Sequence, residues 1–347
     1  MPARGMFVAI RLKDIAQELG VSTVTVSKVL RGNTDIGERT RALVLKRMRE
    51  LNYQPNMLAR GLASGRSFAV GLVVPDLVHP FFGEFAKSLG GVLRESGLAL
   101  VLASSEEDPE IERQEIRTLL NRGVDVLLVA SSQNRATAEL YFGEGSKPYL
   151  LIDRRFPGVG ANFVGSDDVM VGELATRHLI EIGRKRIAHI GGEGMSPSVD
   201  RLQGYRKALA AAHIAVPRNY VVTRERFEET GDLAGYQAMQ ELLSRKVRPD
   251  AVFCYNDLSA IGAMKAVMEA GLRIPHDVAF VGCGNLRYAE YLKVPLTSID
   301  HSTQEMGQVA AKLVLELIRM PGQPPRVTLM EPKLIVRQST VPRESSG

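Results

Sequence analysis

Cysteine is scarce: the chain of 347 residues holds two, Cys254 and Cys283, each inside an apolar run. So few thiols exclude a disulfide framework and fit a reducing compartment, with buried structural thiols as the simplest reading. Long apolar runs are missing as well. No uncharged stretch approaches the ~18 residues that a spanning helix needs. The start, Met1 to Ile10, lacks the apolar core and small-residue cleavage site of a secretion signal. A cytoplasmic protein without a membrane segment is expected. The histidines (His79, His178, His189, His213, His276 and His301) show no zinc-ligand spacing, and the chain has neither a P-loop nor a nucleophile elbow. Gly191-Gly192-Glu193-Gly194 lacks the full dinucleotide fingerprint and reads as a loop. No catalytic residue, metal ligand or cofactor is expected, and the chain does not read as an enzyme.

What the chain does have is an uneven distribution of charge. The formal net charge is only +5. Residues 1–66, however, carry twelve basic and five acidic side chains, an excess of seven, which leaves the remainder slightly negative. A basic head on a near-neutral body is the electrostatic footprint of a nucleic-acid-binding module, although solvated basic faces are common and charge alone does not decide. With 45% hydrophobic residues the chain can bury a sizeable core, and its length suits two to three domains.

Within the basic head, Leu12 to Leu19 reads as a short helix with Leu12, Ile15, Ala16 and Leu19 on one face. Gly20 supplies the positive φ of a tight turn. Ser22 then stands as N-cap of a second helix running to about Leu30, with Val26, Val29 and Leu30 facing inward. Val24, Ser27, Lys28 and Arg31 recur on its opposite face. A small residue at the crossing, a glycine turn and an apolar return contact make a helix-turn-helix, whose second helix enters the major groove. A third helix is expected from Glu38 to Leu51, with Leu43, Met48 and Leu51 in the core. After it, Pro55 to Gly65 has helix boundary signals but is too short to be stable alone. It reads either as a linker or as a segment that orders against DNA.

Beyond Ser67, strand-like runs alternate with helical stretches. The runs are Phe68–Val74, Leu98–Ala103, Val124–Val129, Leu150–Ile152, Arg186–Ile190, Tyr220–Thr223, Ala251–Tyr255 and Val278–Val281. Runs this apolar suit strands covered on both faces, so the body is read as α/β, with parallel doubly wound sheets in two lobes around a cleft. Polar groups stand where such folds place ligands: Asp76, Asp153 and Asn256-Asp257 each follow a strand, and Arg201 opens a helix from Leu202 to Ala212. Phe81-Phe82 begins the first body helix. Carboxylates, one fork-shaped cation and a flat apolar platform suit a hydroxyl-rich or amide-bearing ligand. The aspartates read equally as caps of the following helix or turn, and the phenylalanines as core.

The run Lys13-Asp14-Ile15-Ala16, then Gly20 to Leu30, then Leu51-Asn52-Tyr53-Gln54-Pro55-Asn56 resembles the headpiece of the lactose-repressor (LacI) family. The resemblance continues through nearly the whole chain. It implies that Thr23, Val24 and Lys28 read base edges, while Ser22, Thr25, Ser27 and Asn33 hold phosphates or support docking. Asn56 is placed with the DNA-facing set, and Leu62 at the position of a minor-groove wedge in a hinge helix spanning about 55–64. Lys28 stands where arginine is commoner and lacks its bidentate fork. In the body, His79-Pro80-Phe81-Phe82, Asp153-Arg154, Arg201-Leu202-Gln203-Gly204-Tyr205 and Asn256-Asp257 resemble the family's effector-site motifs. Gly284 stands where an effector-binding aspartate is usual. The implied organisation is an all-α headpiece with hinge over 11–66, then a two-lobed body of the periplasmic-binding-protein kind over 67–340, which binds the effector and dimerises. The implied partners are double-stranded, near-palindromic operator DNA, a small-molecule effector, and a second copy of the chain. A free-standing receptor would share the body, but it would carry an export signal and no basic head.

Overall fold

The structure, a computed structural model, describes residues 10–30, 33–53, 65–133, 147–156, 158–215, 218–224 and 230–341. By internal contacts the chain forms two compact units, Met1–Ser67 and Phe68–Gly347.

In the first unit, α1 (Leu12–Glu18), α2 (Thr23–Leu30) and α3 (Glu38–Glu50) enclose a small core of Ile15, Ala16, Val26, Val29, Val44 and Met48. Gly20 turns the chain at φ +64°. The Ser22 hydroxyl accepts the Thr25 amide at 3.0 Å, so Ser22 caps α2. The phase of α3 differs from the expectation. Leu43 is about half exposed, while Val44, one turn before Met48, fills the core. The i, i+4 pair Val44–Met48 sets the buried stripe, and Leu43 falls outside it. Asn56, Leu62 and the expected hinge helix lie outside the described residues.

The second unit holds two six-stranded sheets. The first contains β1 (Ala69–Val74), β2 (Ala99–Ser104), β3 (Val126–Val129), β4 (Tyr149–Ile152), β5 (Asn162–Ser166) and β11 (Val327–Met330), ordered 11-5-4-3-1-2 and all parallel. The second contains β6 (Ile187–Gly192), β7 (Val221–Arg224), β8 (Ala251–Cys254), β9 (Ala279–Cys283), β10 (Thr297–Asp300) and β12 (Lys333–Ile335), ordered 12-10-9-8-6-7. Among the described residues its one antiparallel pair is β10 with β12. The two lobes thus repeat one topology. The chain crosses between them three times: after β5, after β10 and after β11. β5, β10 and β12 are short and polar or glycine-bearing, which is why they do not stand out as apolar runs; β11, Val-Thr-Leu-Met, is four residues following a polar, proline-rich stretch.

Helices α4 (Pro80–Glu95), α5 (Pro109–Asn121) and α10 (Thr303–Arg319) cover the first sheet. The second is covered by α6 (Asp168–Glu181), α7 (Ser196–Ala211), α8 (Gly231–Leu243) and α9 (Asp257–Glu269). Arg201 therefore does not open its helix. Pro197, favoured in a first helical turn, starts α7 at Ser196, so Arg201 sits in the second turn. In the second lobe two helix pairs touch backbone to backbone. A Cβ on Gly172 of α6 would collide with the Arg201 carbonyl of α7, and one on Gly204 would collide with the Val169 carbonyl. Gly235 and Gly262 do the same for α8 and α9. These positions tolerate no side chain because the obstacle is backbone, which cannot rotate away.

Gly172→Ala is expected to destabilise the protein by about 2–3 kcal/mol or more, as overpacking against an immovable neighbour does. Gly91→Ala in α4 meets open space and should stabilise by roughly 0.5–1 kcal/mol. Denaturant unfolding of both variants checks this; equal effects would refute the backbone contact.

Candidate functional site

Where the two sheets present their carboxyl ends, the lobes enclose a cavity of about 380 Å³, counting its mouth. The first lobe contributes His79 and Phe81 from the start of α4, and Asp153 from the end of β4. The second contributes Arg201 from α7, Tyr255 to Asp257 after β8, Cys283 and Gly284 at the end of β9, Leu286, and His301 after β10. Of the residues expected from sequence, Phe81, Asp153, Arg201, Asn256 and Asp257 meet here. Asp76 and Phe82 do not. Asp76 is half-buried and accepts the Val78 amide at 2.7 Å, making a local turn. Phe82, one residue past Phe81 on the helix, points into the core of the first lobe.

Arg201 is buried, and its position is fixed from three sides. Nε donates to Asp168 Oδ1 at 2.7 Å, Nη1 donates to the Tyr255 carbonyl at 2.7 Å, and the guanidinium lies 4.5 Å from the Tyr255 ring centroid. Burial works against its charge, but Asp168 alongside holds the guanidinium pKa above its ordinary range. Asp168 opens α6, four residues before Gly172. The glycine crossing that brings α6 against α7 therefore also sets this ion pair.

Asn256 and Asp257 divide their work. Asn256 caps α9, accepting the Ser259 amide at 2.9 Å, and its Nδ2 lies 3.3 Å from His79 Nε2 across the cleft. Asp257 is fully buried. Its carboxylate accepts the Leu286 amide at 2.7 Å and the Ser298 hydroxyl at 2.6 Å, tying down the loop after β9. It lines the cavity, yet both of its oxygens already bond the protein. The cap position expected of Asp257 belongs to Asn256. Asp153 is buried with a left-handed backbone, φ +59°, beside the wholly buried Arg154. Arg155 joins the lobes: its amide donates to Ser196 Oγ at 2.9 Å and its Nη2 to Asp200 Oδ2 at 2.8 Å.

Sequence reasoning missed Tyr255, Cys283, Leu286 and His301 as site residues, and noted His79 and Gly284 only as departures. Each stands at the carboxyl end of a strand or the start of a helix, which was the available signal. For His301 that signal was hidden because β10, the Thr-Ser-Ile-Asp segment before it, does not read as a strand.

In the first unit, the outward face of α2 carries Thr23 and Val24, both exposed, with Val24 58% accessible. Ser27 and Lys28 are half-buried on the same helix. Lys28 pairs with Asp35, Ser22 Oγ and Thr25 Oγ1 lie 2.9 Å apart, and the Asn33 carbonyl accepts from Arg41. These contacts brace the face and leave Thr23 and Val24 protruding.

Two family models match. Residues 11–56 match the bacterial regulatory proteins of the lacI family, and residues 176–340 match the periplasmic binding protein-like domain. A ribose operon repressor of Haemophilus influenzae is 33% identical over 329 residues, spanning 94% of this chain and 98% of that protein. Among solved structures, a dimer of the Lac repressor bound to operator and the anti-inducer ONPF aligns with a TM-score of 0.84 at 26% identity. The transcriptional regulator CelR in complex with cellobiose aligns with a TM-score of 0.72 at 33% identity. Each alignment covers 95% of this chain and 99% of the other.

Burial raises the Asp257 carboxyl from its ordinary 3.8 to about 6, against the hydrogen bonds from Ser298 and Leu286. Between those values the native state holds a proton that the unfolded chain has released, so stability falls as pH rises through the window. Asp257→Asn does not titrate. The variant should therefore gain on wild type as pH rises from about 4 to about 6, and the difference should level off above 7. Urea unfolding at a series of pH values reads this, and a flat difference would refute a raised carboxyl.

Proposed function

Because the chain belongs to the LacI family of bacterial regulatory proteins, we propose that it is a sequence-specific transcriptional repressor whose operator affinity is set by a sugar or related metabolite. The metabolite binds in the cavity between the lobes. The observation that carries this reading is the buried Arg201 guanidinium at the wall of that cavity, in a chain whose residues 11–56 match a DNA-binding headpiece. The protein acts as a homodimer on a near-palindromic operator. In the headpiece Thr23, Val24 and Lys28 read base edges, and Ser22, Thr25, Ser27 and Asn33 support docking, with Asn56 and the Leu62 wedge completing the contact. Solvent-exposed Leu77, Val78 and Leu102 give the first lobe an apolar face of the kind that a second copy covers. The protein is a regulator and not an enzyme. It is cytoplasmic; among the described residues no helix is long and apolar enough to cross a membrane.

The cavity's chemistry narrows the effector. Asp153 supplies an acceptor, Arg201 a donor fork, and Phe81 and Tyr255 apolar faces, which together match a ligand bearing hydroxyls on a compact carbon frame. The cavity is small as it stands, which favours a compact ligand such as a monosaccharide over a disaccharide. D-ribose is the first candidate, since a relative over nearly the whole length is a ribose operon repressor. Asp257 and Asn256 serve the effector indirectly, by holding the walls. Closure of the lobes on the effector alters the dimer and hence the fit of the two headpieces. DNA and effector must then change each other's affinity by the same factor.

Selection of bound sequences from a random DNA pool, repeated with a metabolite library, tests this reading. A near-palindromic consensus whose binding responds to one monosaccharide is expected; no sequence preference would refute it. Arg201→Ala should weaken effector binding at least ten times more than it weakens operator binding, as read by calorimetry and gel shift. Lys28→Ala should relax preference at one base pair per half-site, at about 1–3 kcal/mol. A uniform loss over all sequences would make Lys28 a phosphate contact instead.

A further inference from the structure

His301 follows β10 directly, is only 4% exposed and lines the cavity. Its ring stands edge-on to Phe81 with centroids 6.0 Å apart, and its Nε2 lies 3.1 Å from Cys283 Sγ. Its other nitrogen, Nδ1, is buried and has no hydrogen-bond partner among the described residues. A buried polar atom left unpaired is destabilising, and natural proteins rarely keep one without a use. We propose that His301 is a specificity-determining contact for the effector, offering Nδ1 as a neutral hydrogen-bond donor to an oxygen of the bound molecule. The proposal rests on the reading of this cavity as the effector site.

The direction of the hydrogen bond follows from the neighbours. Burial, then the charge of Arg201 and the nearness of His79, keep the His301 ring well below its ordinary pKa, so it is neutral. Burial also pushes the Cys283 thiol up, so the sulfur keeps its proton. A neutral imidazole has one donor and one acceptor nitrogen. In the proposed arrangement the protonated thiol donates from Sγ to Nε2, and the ring proton sits on Nδ1. The cavity thus presents donors from His301 and Arg201 and an acceptor from Asp153. A hydroxyl group, which both gives and accepts, satisfies such a set. An ammonium or other donor-only group facing His301 leaves Nδ1 unpaired and is rejected, as sites built for hydrogen bonding reject analogues lacking the partner.

Three measurements on the full-length dimer decide the matter. Long-range nitrogen–proton NMR on isotope-labelled histidine, assigned with a His301→Gln sample, should show the Nδ1–H tautomer in the ligand-free protein; the Nε2–H tautomer overturns the proposal. His301→Leu removes the orphaned atom, so the ligand-free melting temperature should stay level or rise by a few degrees; a fall of more than about 5 °C makes His301 a structural residue and overturns it. In D-ribose titrations, His301→Leu should lose at least tenfold in affinity, while His301→Gln, which retains a donor, loses less. Equal affinity of His301→Leu and wild type overturns the proposal. If wild type itself ignores D-ribose, the monosaccharide assignment fails for ribose, and the tautomer and melting temperature still decide the role of His301.

Discussion

Two glycines, Gly172 and Gly204, let α6 and α7 meet backbone to backbone, and the position of Arg201 depends on that contact. The Arg201 carbonyl occupies the space that a side chain at Gly172 would fill. One turn earlier on α6, Asp168 reaches Arg201 Nε. A longer separation of the helices would pull the carboxylate out of reach and leave a charged guanidinium in the interior, which is strongly unfavourable. The Arg201 guanidinium is thus built into helix packing and is not carried on a loop. Gly235 and Gly262 impose the same closeness on α8 and α9, and so hold the Asn256-Asp257 corner on the same lobe.

From these fixed parts the cavity follows. Asp257 anchors Leu286 and Ser298, Asn256 caps α9 and faces His79 of the other lobe, and Arg155 pins its own loop to Ser196 and Asp200. The His79 and Arg155 contacts cross the cleft, so lobe separation and the shape of the cavity are one variable. A ligand that fits only the closed arrangement shifts that variable by its difference in affinity for the two arrangements, and by no more.

Much of the fold could be read from the chain before its structure. The helix-turn-helix showed in the spacing of Ile15, Ala16, Gly20 and Val26, and eight of the strands showed as apolar runs. What escaped notice was short or polar. β10, β11 and β12 derive their strand conformation from partners far along the chain, such as Ile335 opposite Ser298, and not from local pattern. In the site, motif reading brought together Asp153, Arg201 and Asn256 but could not rank them. The sequence does not tell that both Asp257 oxygens are taken by Leu286 and Ser298; only the distances do. Phe82 follows Phe81 directly and Asp76 stands three residues before His79, yet a helical rotation of one residue and a local turn direct them elsewhere. The orphaned nitrogen of His301 has no sequence signature at all.

We propose that Arg201, held by Asp168, grips a sugar-like effector between the lobes. A crystal structure of the full chain grown in saturating D-ribose tests it most directly. The sugar is expected inside the cavity, with one hydroxyl within hydrogen-bond distance of the Arg201 guanidinium and another facing Asp153. A sugar seated elsewhere, or an empty cavity with the Arg201–Asp168 pair unchanged at saturation, would contradict it.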